Sequence, residues 1–296
     1  MEEAVTETAP PPPPPPSFLS TSDKELIEPG DWVVVYVNHT TYYPIRVERG
    51  QSLTMRYGAL RHDFLVGRPY GSKVSATAGY VHALRPTVEL WTRSLDHRTQ
   101  ILYTPDVALI CALLDLKPGS RLAESGTGSG SASHAFARAL APHGRLFTYE
   151  LDERRAGRAR ADFEAHGLPA SLVLCQQADV CESGFAGVDD RSLDAVFLDL
   201  PKPWLAVQFA RRSLRPLGRF CSFSPCIEQT QRCVAELSRQ GFVSVETVEL
   251  VPRLHKLLGG GGGGGGVDEL VSVPFPVQQP THTGYLTSAT LLHHAQ

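Results

Sequence analysis

The nine residues Leu122–Gly130, LAESGTGSG, constrain this chain more than any other stretch. A short apolar run passes straight into glycines at 126, 128 and 130. Residues without a Cβ allow a sharp turn and a close approach of backbone to a ligand. The residues that follow, Ser131 to Leu140, are alanine-rich and helix-forming. Strand, glycine loop and helix in succession form the ligand-binding corner of a doubly wound sheet. Such a turn also closes connections that hold no ligand, so the loop alone does not define a site.

Spacing narrows the ligand. A dinucleotide fingerprint runs Gly-x-Gly-x-x-Gly, which would put the third glycine at Ser131, whereas here it stands at Gly130. That departure favours S-adenosylmethionine over NAD. Residues 145–150, RLFTYE, read as a second strand ending in Glu150, about 20 residues past the glycines, where a carboxylate accepts hydrogen bonds from ribose hydroxyls. Residues 171–174 read as a third strand with Asp179 just beyond it, placed to take an adenine amino group. A strand-end acid is equally a solvated turn residue when taken singly. Residues 194–199, DAVFLD, are the clearest strand and end at Asp199-Leu-Pro-Lys-Pro-Trp204. An acid at the carboxyl end of a buried parallel strand faces the ligand crevice. Pro201 and Pro203 fix φ in the loop behind Asp199 and hold that loop in place.

The chain divides into four parts. Residues 1–26 carry the proline run Pro10–Pro16 and read as an extended, disordered leader. Residues 27–97 hold short alternating segments broken by Asn, Gly and Pro, which read as a small β-barrel-like domain. Residues 98–296 alternate helix and strand, with a helix from Pro105 to about Asp115, a fifth strand at 219–223, a sixth at 242–250 and a seventh at 285–292. Ser224 is positioned to cap a helix bearing Ile227, Thr230, Val234 and Leu237 on one face. Residues 251–281, which include the glycines 259–266, read as a flexible insertion.

Composition excludes several classes. With 42% apolar residues in 296, the chain has enough material for a core, and no run of 18 or more apolar residues occurs. The acidic start, Met1-Glu-Glu-Ala-Val, is unlike a presequence, which leaves cytosol or nucleus. The six cysteines include no Cys-x-x-Cys pair and no zinc-finger histidine spacing, so they read as reduced thiols and no metal is predicted. Net charge is −3, yet residues 30–100 hold nine Lys or Arg against five Asp or Glu. That local excess suits RNA phosphates and equally suits an ordinary solvated surface.

The chain resembles the catalytic subunit of the tRNA (adenine-58-N1)-methyltransferase. The resemblance is carried by Glu124–Gly130, by His97-Arg-Thr-Gln-Ile-Leu-Tyr103, by Asp199-Leu-Pro-x-Pro-Trp204 and by Arg219-Phe-Cys-Ser-Phe-Ser-Pro-Cys-Ile-Glu-Gln229. It extends to Gly67–Lys73 and His282–Tyr285 and covers roughly residues 27–292. It implies a seven-stranded Rossmann-like class I methyltransferase domain behind the small β module. It also implies S-adenosylmethionine as cofactor, with Leu102, Glu124, Ser125, Gly126, Thr127, Gly128, Ser129, Gly130, Glu150, Arg155, Asp179 and Val180 at the pocket. Asp199 would contact the target adenine. Gln100, Ser222, Phe223, Ser224, Pro225, Cys226, Gln229, His282 and Thr283 would lie near tRNA. A related non-catalytic RNA-binding subunit, two of each in a heterotetramer, and a nuclear location come with the resemblance. Two alternatives stay open: a methyltransferase of the same cofactor with another acceptor, and a non-catalytic RNA-binding subunit of the same fold.

Overall fold

Alternation in Trp32–Asn38 (β1) turns Val33 and Val35 to one side, where both are fully buried. In the computed structural model, which describes residues 24–95, 101–259, 270–274 and 283–292, β1 opens a run of six strands. The others are Thr41–Arg46 (β2), Ser52–Met55 (β3), Gly58–Arg61 (β4), Lys73–Ala76 (β5) and Gly79–Leu84 (β6), followed by the helix Val88–Ser94 (α1). They form an antiparallel sheet ordered β2-β1-β6-β5 and a separate hairpin, β3-β4. One apolar cluster joins Val33, Val35, Val74, Val81 and Ala83 of the sheet to Met55 and Leu60 of the hairpin.

A sequence-distant segment completes this unit. Trp32 and Trp91 close edge-on around His166 at ring separations of 4.9 and 4.4 Å, and Trp32 Nε1 donates to the Ala165 carbonyl at 2.9 Å. Residues up to Asp96 together with Ala161–Pro169 therefore make one compact unit. Chain order alone assigns 161–169 to the later domain, because aromatic contacts between residues so far apart in the chain leave no local signal.

The second unit, His97–Arg160 with Ala170–Gln296, alternates helix and strand. In order it contains Thr104–Leu113 (α2), Arg121–Ser125 (β7), Ser131–Leu140 (α3), Arg145–Glu150 (β8), Glu153–Ala165 (α4, whose last residues pass into the first unit), Val173–Gln177 (β9) and Val180–Ser183 (α5). Leu193–Asp199 (β10), Val207–Ser213 (α6), Leu214–Ser224 (β11), Ile227–Arg239 (α7) and Phe242–Glu249 (β12) follow. His255–Gly259 (β13), Leu270–Pro274 (β14) and Tyr285–Leu291 (β15) complete the chain. The sheet runs β12-β15-β11-β10-β7-β8-β9, and β15 is antiparallel to both its neighbours while the other pairings are parallel. This is the Rossmann-like, mostly parallel seven-stranded sheet expected. Chain direction across the sheet reverses between β7 and β10, the switch point where the carboxyl ends of two strands open a crevice.

Two expectations change. The third strand of the α/β unit is Val173–Gln177 rather than 171–174, since only Val173 onward pairs with β8. Within the 251–281 insertion, β13 pairs with β14 as an antiparallel hairpin, from His255↔Pro274 to Gly259↔Leu270. The reading of a structureless loop missed it because the glycine run masks the short apolar segments beside it, which satisfy one another's backbone. The rest of that run and the proline leader lie outside the described residues. Among the described residues, no helix is long and apolar enough to cross a membrane.

The sheet core is aromatic. Phe136 meets Phe197 at 5.4 Å and Phe220 meets Phe242 at 5.8 Å, with Phe136, Phe197 and Phe220 fully buried. Phe220→Ala removes a ring the strand cannot collapse to replace, so unfolding free energy in a urea titration should drop by about 3–5 kcal/mol.

A candidate cofactor cleft at the switch point of the sheet

Parallel pairing brings Leu198 of β10 opposite Ser125 of β7, so Asp199 and the glycine loop emerge side by side. Gly126 has φ +100°, and a Cβ built there would collide with the Asp199 carbonyl oxygen. Only glycine fits, both for conformation and for space. The Gly126 N–H donates to the Tyr149 carbonyl at 2.9 Å, tying the loop to β8 as well. Gly130, at φ +73°, is the left-handed residue that starts α3.

Together these elements wall a small cleft lined by Ile101, Leu102, Glu124, Gly126, Thr127, Gly128, Ser129, Ser131, Ala132, Phe197 and Asp199. Six residues expected at the pocket from the resemblance line it, with Asp199 added from β10: Leu102, Glu124, Gly126, Thr127, Gly128 and Ser129. The lining also includes Ile101, Ser131, Ala132 and Phe197, which sequence reasoning did not single out. The first turn of α3 follows from the loop, and its small residues Ser131 and Ala132 were the available signal. Phe197 carried none, being one apolar residue among several in β10. A larger hollow lies at the opposite end of the strands, between Arg191, Arg211 and Leu292, away from these groups.

Electrostatics distinguish the acids. Glu124 is 1% exposed, accepts from Ser133 Oγ at 2.6 Å, and is pushed up to about 7, first by burial and further by the neighbouring Asp199 and Glu150 charges. Burial likewise raises Asp199 to about 6. His134, buried in α3 with Nδ1 2.6 Å from the Gly130 carbonyl, is lowered to about 4 by desolvation and is neutral at pH 7.

Glu150 is more engaged than a free ribose acceptor. Its Oε2 accepts from Gly128 N–H at 2.9 Å, while Oε1 accepts from Asp152 N–H and from Arg155 Nε and Nη2 at 3.1, 3.0 and 2.7 Å. One lone-pair direction on Oε2 remains. Arg155 is therefore a partner of Glu150 rather than part of the cleft lining. Asp179 caps α5, accepting from Cys181 N–H at 2.8 Å. The Val180 side chain is in the core, because α5 turns it inward. Ser125 is buried at the end of β7, and Thr127 Oγ1 is 2.6 Å from Thr148 Oγ1.

The residues expected near RNA separate into two groups. Ser222, Phe223 and Ser224 are buried in β11, with Ser222 Oγ 3.4 Å from Cys233 Sγ, so these side chains do not offer a surface. The alternation of a fully covered strand conceals this from sequence. Pro225 and Cys226 are exposed. Cys226, not Ser224, is the N-cap of α7, in a capping box with Gln229, whose Nε2 also donates to the Pro201 carbonyl at 2.9 Å. Ser224 Oγ is buried without a hydrogen-bond partner. Ile227 is 42% exposed rather than on the packed face of α7, which presents Thr230, Cys233 and Leu237. Thr283 donates to Asp106 at 2.8 Å; Gln100 and His282 lie outside the described residues. Among the described residues, no group of three or more His, Cys, Asp or Glu could hold a metal ion.

Residues 79–257 match the family described as tRNA methyltransferase complex GCD14 subunit. The chain belongs to that family. Within it, the chain is similar to the Candida albicans tRNA (adenine(58)-N(1))-methyltransferase catalytic subunit TRM61, at 43% identity over 78% of this chain and 70% of the relative. The chain spans about half the length of two Cryptococcus neoformans relatives, 54% in each case, and 98% of one from Dictyostelium discoideum. In fold, this GCD14-family chain is similar to a SAM-dependent O-methyltransferase from Thermotoga maritima, with TM-score 0.78, 27% identity and coverage of 92% and 97% of the two chains. It is also similar in fold to the tRNA (m1A58) methyltransferase TrmI from Aquifex aeolicus, with TM-score 0.71, 22% identity and coverage of 91% and 100%.

The acidic cleft of this family member has a thermodynamic signature. A carboxyl whose folded pKa lies above its unfolded value binds protons preferentially in the folded state, so its stabilisation is present at low pH and is lost as pH rises through the folded pKa. For Glu124 that window runs from the ordinary carboxylate range up to about 7. Glu124→Gln should flatten the decline of stability between pH 4 and pH 8 and leave the variant up to about 3 kcal/mol more stable than the parent above pH 7, as read by denaturant titrations across pH.

Proposed function

We propose that this chain is the catalytic subunit of a tRNA (adenine(58)-N(1))-methyltransferase, transferring a methyl group from S-adenosylmethionine to N1 of adenine 58 in the T-loop. The observation that carries the reading is the Asp199 carboxyl at the switch point, beside a glycine loop too tight for any other residue, in a chain of the GCD14 family. Family membership supports the acceptor, and the cleft supports the chemistry.

The residues present fit this cofactor. Glu124, Asp199 and Glu150 surround the loop with carboxylates, an environment that repels a pyrophosphate and attracts a cation. S-adenosylmethionine, when bound, supplies an electrophilic methyl on a cationic sulfur. In this reading the 124–130 loop and Leu102 hold it, the remaining Oε2 direction of Glu150 accepts a ribose hydroxyl, and Asp179 takes the adenine amino group. Arg155 acts through Glu150 by fixing its orientation, and Val180 contributes through its backbone.

Attack by N1 of a neutral adenine needs alignment more than removal of a proton beforehand. Positive charge develops on the purine as the methyl arrives. Asp199 accepts a hydrogen bond from the exocyclic amino group and stabilises that charge in a site shielded from water. Packing against Gly126 prevents the Asp199 backbone from shifting toward the loop. The target base must be unstacked from the T-loop to reach this position. Pro225, Cys226, Gln229 and Thr283 are the described candidates for contact with the RNA around it, joined by Gln100 and His282.

Further elements of the proposal concern assembly. The family description as a complex subunit supports a partner, which we take to be a related non-catalytic RNA-binding subunit, two copies of each forming a heterotetramer. Residues 27–97, completed by 161–169, serve as an accessory barrel-like domain and the remainder of 98–296 as the methyltransferase domain. The enzyme works in the nucleus.

The test is nucleoside mass spectrometry on unmodified tRNA incubated with S-adenosylmethionine and this chain, alone and co-expressed with the partner, beside Asp199→Ala. N1-methyladenosine should appear with the parent and fall by roughly 100-fold or more with Asp199→Ala, while cofactor affinity measured by calorimetry stays within a few-fold. Turnover of the parent should also decline as pH drops through about 6, where Asp199 takes up a proton. Methylation of another position, or full turnover by Asp199→Ala, would overturn the assignment.

A further inference from the structure

We propose that the row of aromatic and basic side chains across the β2-β1-β6-β5 sheet, Tyr42–Tyr36–His82–Lys73 with Tyr80 beside it, is an RNA-binding surface on which unpaired nucleotides stack. The proposal rests on the reading of this chain as an RNA-acting enzyme for its choice of ligand, and on the geometry of the first unit for everything else.

Alternation separates the two faces. Val33, Val35, Tyr43, Ile45, Val74, Val81 and Ala83 face the apolar cluster with the hairpin. Their neighbours in each strand point the other way, where Val34 is fully buried and Trp32 packs on His166, while Tyr36, Tyr42 and His82 are half-buried and Lys73 and Tyr80 exposed. Cross-strand register aligns Tyr42 with Tyr36, Tyr36 with His82, and His82 with Lys73, a single row over four strands. Three inter-strand gaps make the row about 14 Å wide. Ring separations along it are 5.5 Å for Tyr36–Tyr42 and 6.1 Å for Tyr36–His82, and Tyr80 meets His82 edge-on at 5.8 Å.

Cations stand at both ends. Lys73 Nζ lies 3.5 Å from the centre of the Tyr80 ring, and Arg93 from α1 lies 5.4 Å from that of Tyr42. The four strands contain no Asp or Glu. Cross-strand aromatic pairs stabilise a sheet by themselves, and Tyr36 and Tyr42 do so here. That role does not account for Tyr80, which is 51% exposed under an exposed lysine. An acid-free sheet face with a row of rings and a cation at each end matches a polyanion whose repeating units carry flat π-faces. About two or three bases fit on a four-stranded sheet used in this way.

Titration of the full chain with a fluorescein-labelled, unstructured RNA of about 12 nucleotides, followed by anisotropy over a range of salt, tests the surface. The expected result is preference for the single strand over a duplex of equal length. Tyr80→Leu should weaken binding roughly fivefold or more, while Tyr80→Phe, which keeps the ring, stays within about twofold. Lys73→Ala should reduce the salt slope by about 0.7. Tyr80 and Lys73 are exposed, so folding is preserved, and thermal melts check it. No binding of the single strand by the parent, equal binding of the duplex, or parental affinity and slope in both Tyr80→Leu and Lys73→Ala would each overturn the proposal. Failure here is separable from failure of the methylation reading. Asp199-dependent N1-methyladenosine with Tyr80→Leu binding like the parent removes only this surface; RNA binding that needs Tyr80, with no such product, removes only the reaction.

Discussion

The close approach of Gly126 to the backbone of Asp199 is the contact on which the α/β unit's chemistry depends. It exists because β7 and β10 pair in parallel with Leu198 opposite Ser125, so two strand ends meet at the position where chain direction reverses. Any side chain at position 126 would force the strands or the loop apart. The Gly126 and Thr127 amides also donate to the Tyr149 carbonyl at 2.9 and 3.3 Å, so β8 is held to the same corner. Glu150, one residue later, then receives the Gly128 amide. Three strands thus converge on a five-residue turn, and their terminal acids converge with them.

That convergence has an electrostatic cost. Glu124 and Asp199 are carried into the cleft with their pKa values raised, and burial is the leading cause for both. Glu150 has Arg155 as a counter-ion, while Glu124 is supported by the Ser133 hydroxyl. A cationic ligand would relieve the repulsion among these carboxylates, and the same carboxylates disfavour a phosphate. The fold stores this preference as part of its own stability, since each raised pKa opposes folding at neutral pH. A function that needs a positively charged methyl donor and then charges a purine is consistent with such a site.

Much of this was legible in the chain. The strand Arg145–Glu150, the loop with its helix and the strand ending at Asp199 are legible because each has a local pattern: an apolar run, glycines at fixed spacing, and an acid at the end. Ser224 carries the pattern of a helix cap, Ser before Pro, yet is still in β11; the α7 cap is Cys226. Ser222 and Phe223 lie in a segment with a distinctive sequence, yet their side chains serve packing. The hairpin β13-β14 was hidden by the glycines beside it, and the place of His166 between Trp32 and Trp91 by distance along the chain.

The sequence by itself determined the alternation of strands and helices, the glycine turn and the identity of the acids at strand ends, because these follow from backbone sterics and side-chain periodicity within a few residues. Tertiary structure alone decided which acids share a cleft, which are neutralised, and which residues are buried. Strand order and register are chosen by packing of the whole sheet, and a carboxyl's proton affinity depends on neighbours brought from β8 and β10 rather than on its own segment. The row Tyr42–Tyr36–His82–Lys73 has the same origin: four residues from four strands become one surface only when the register is set.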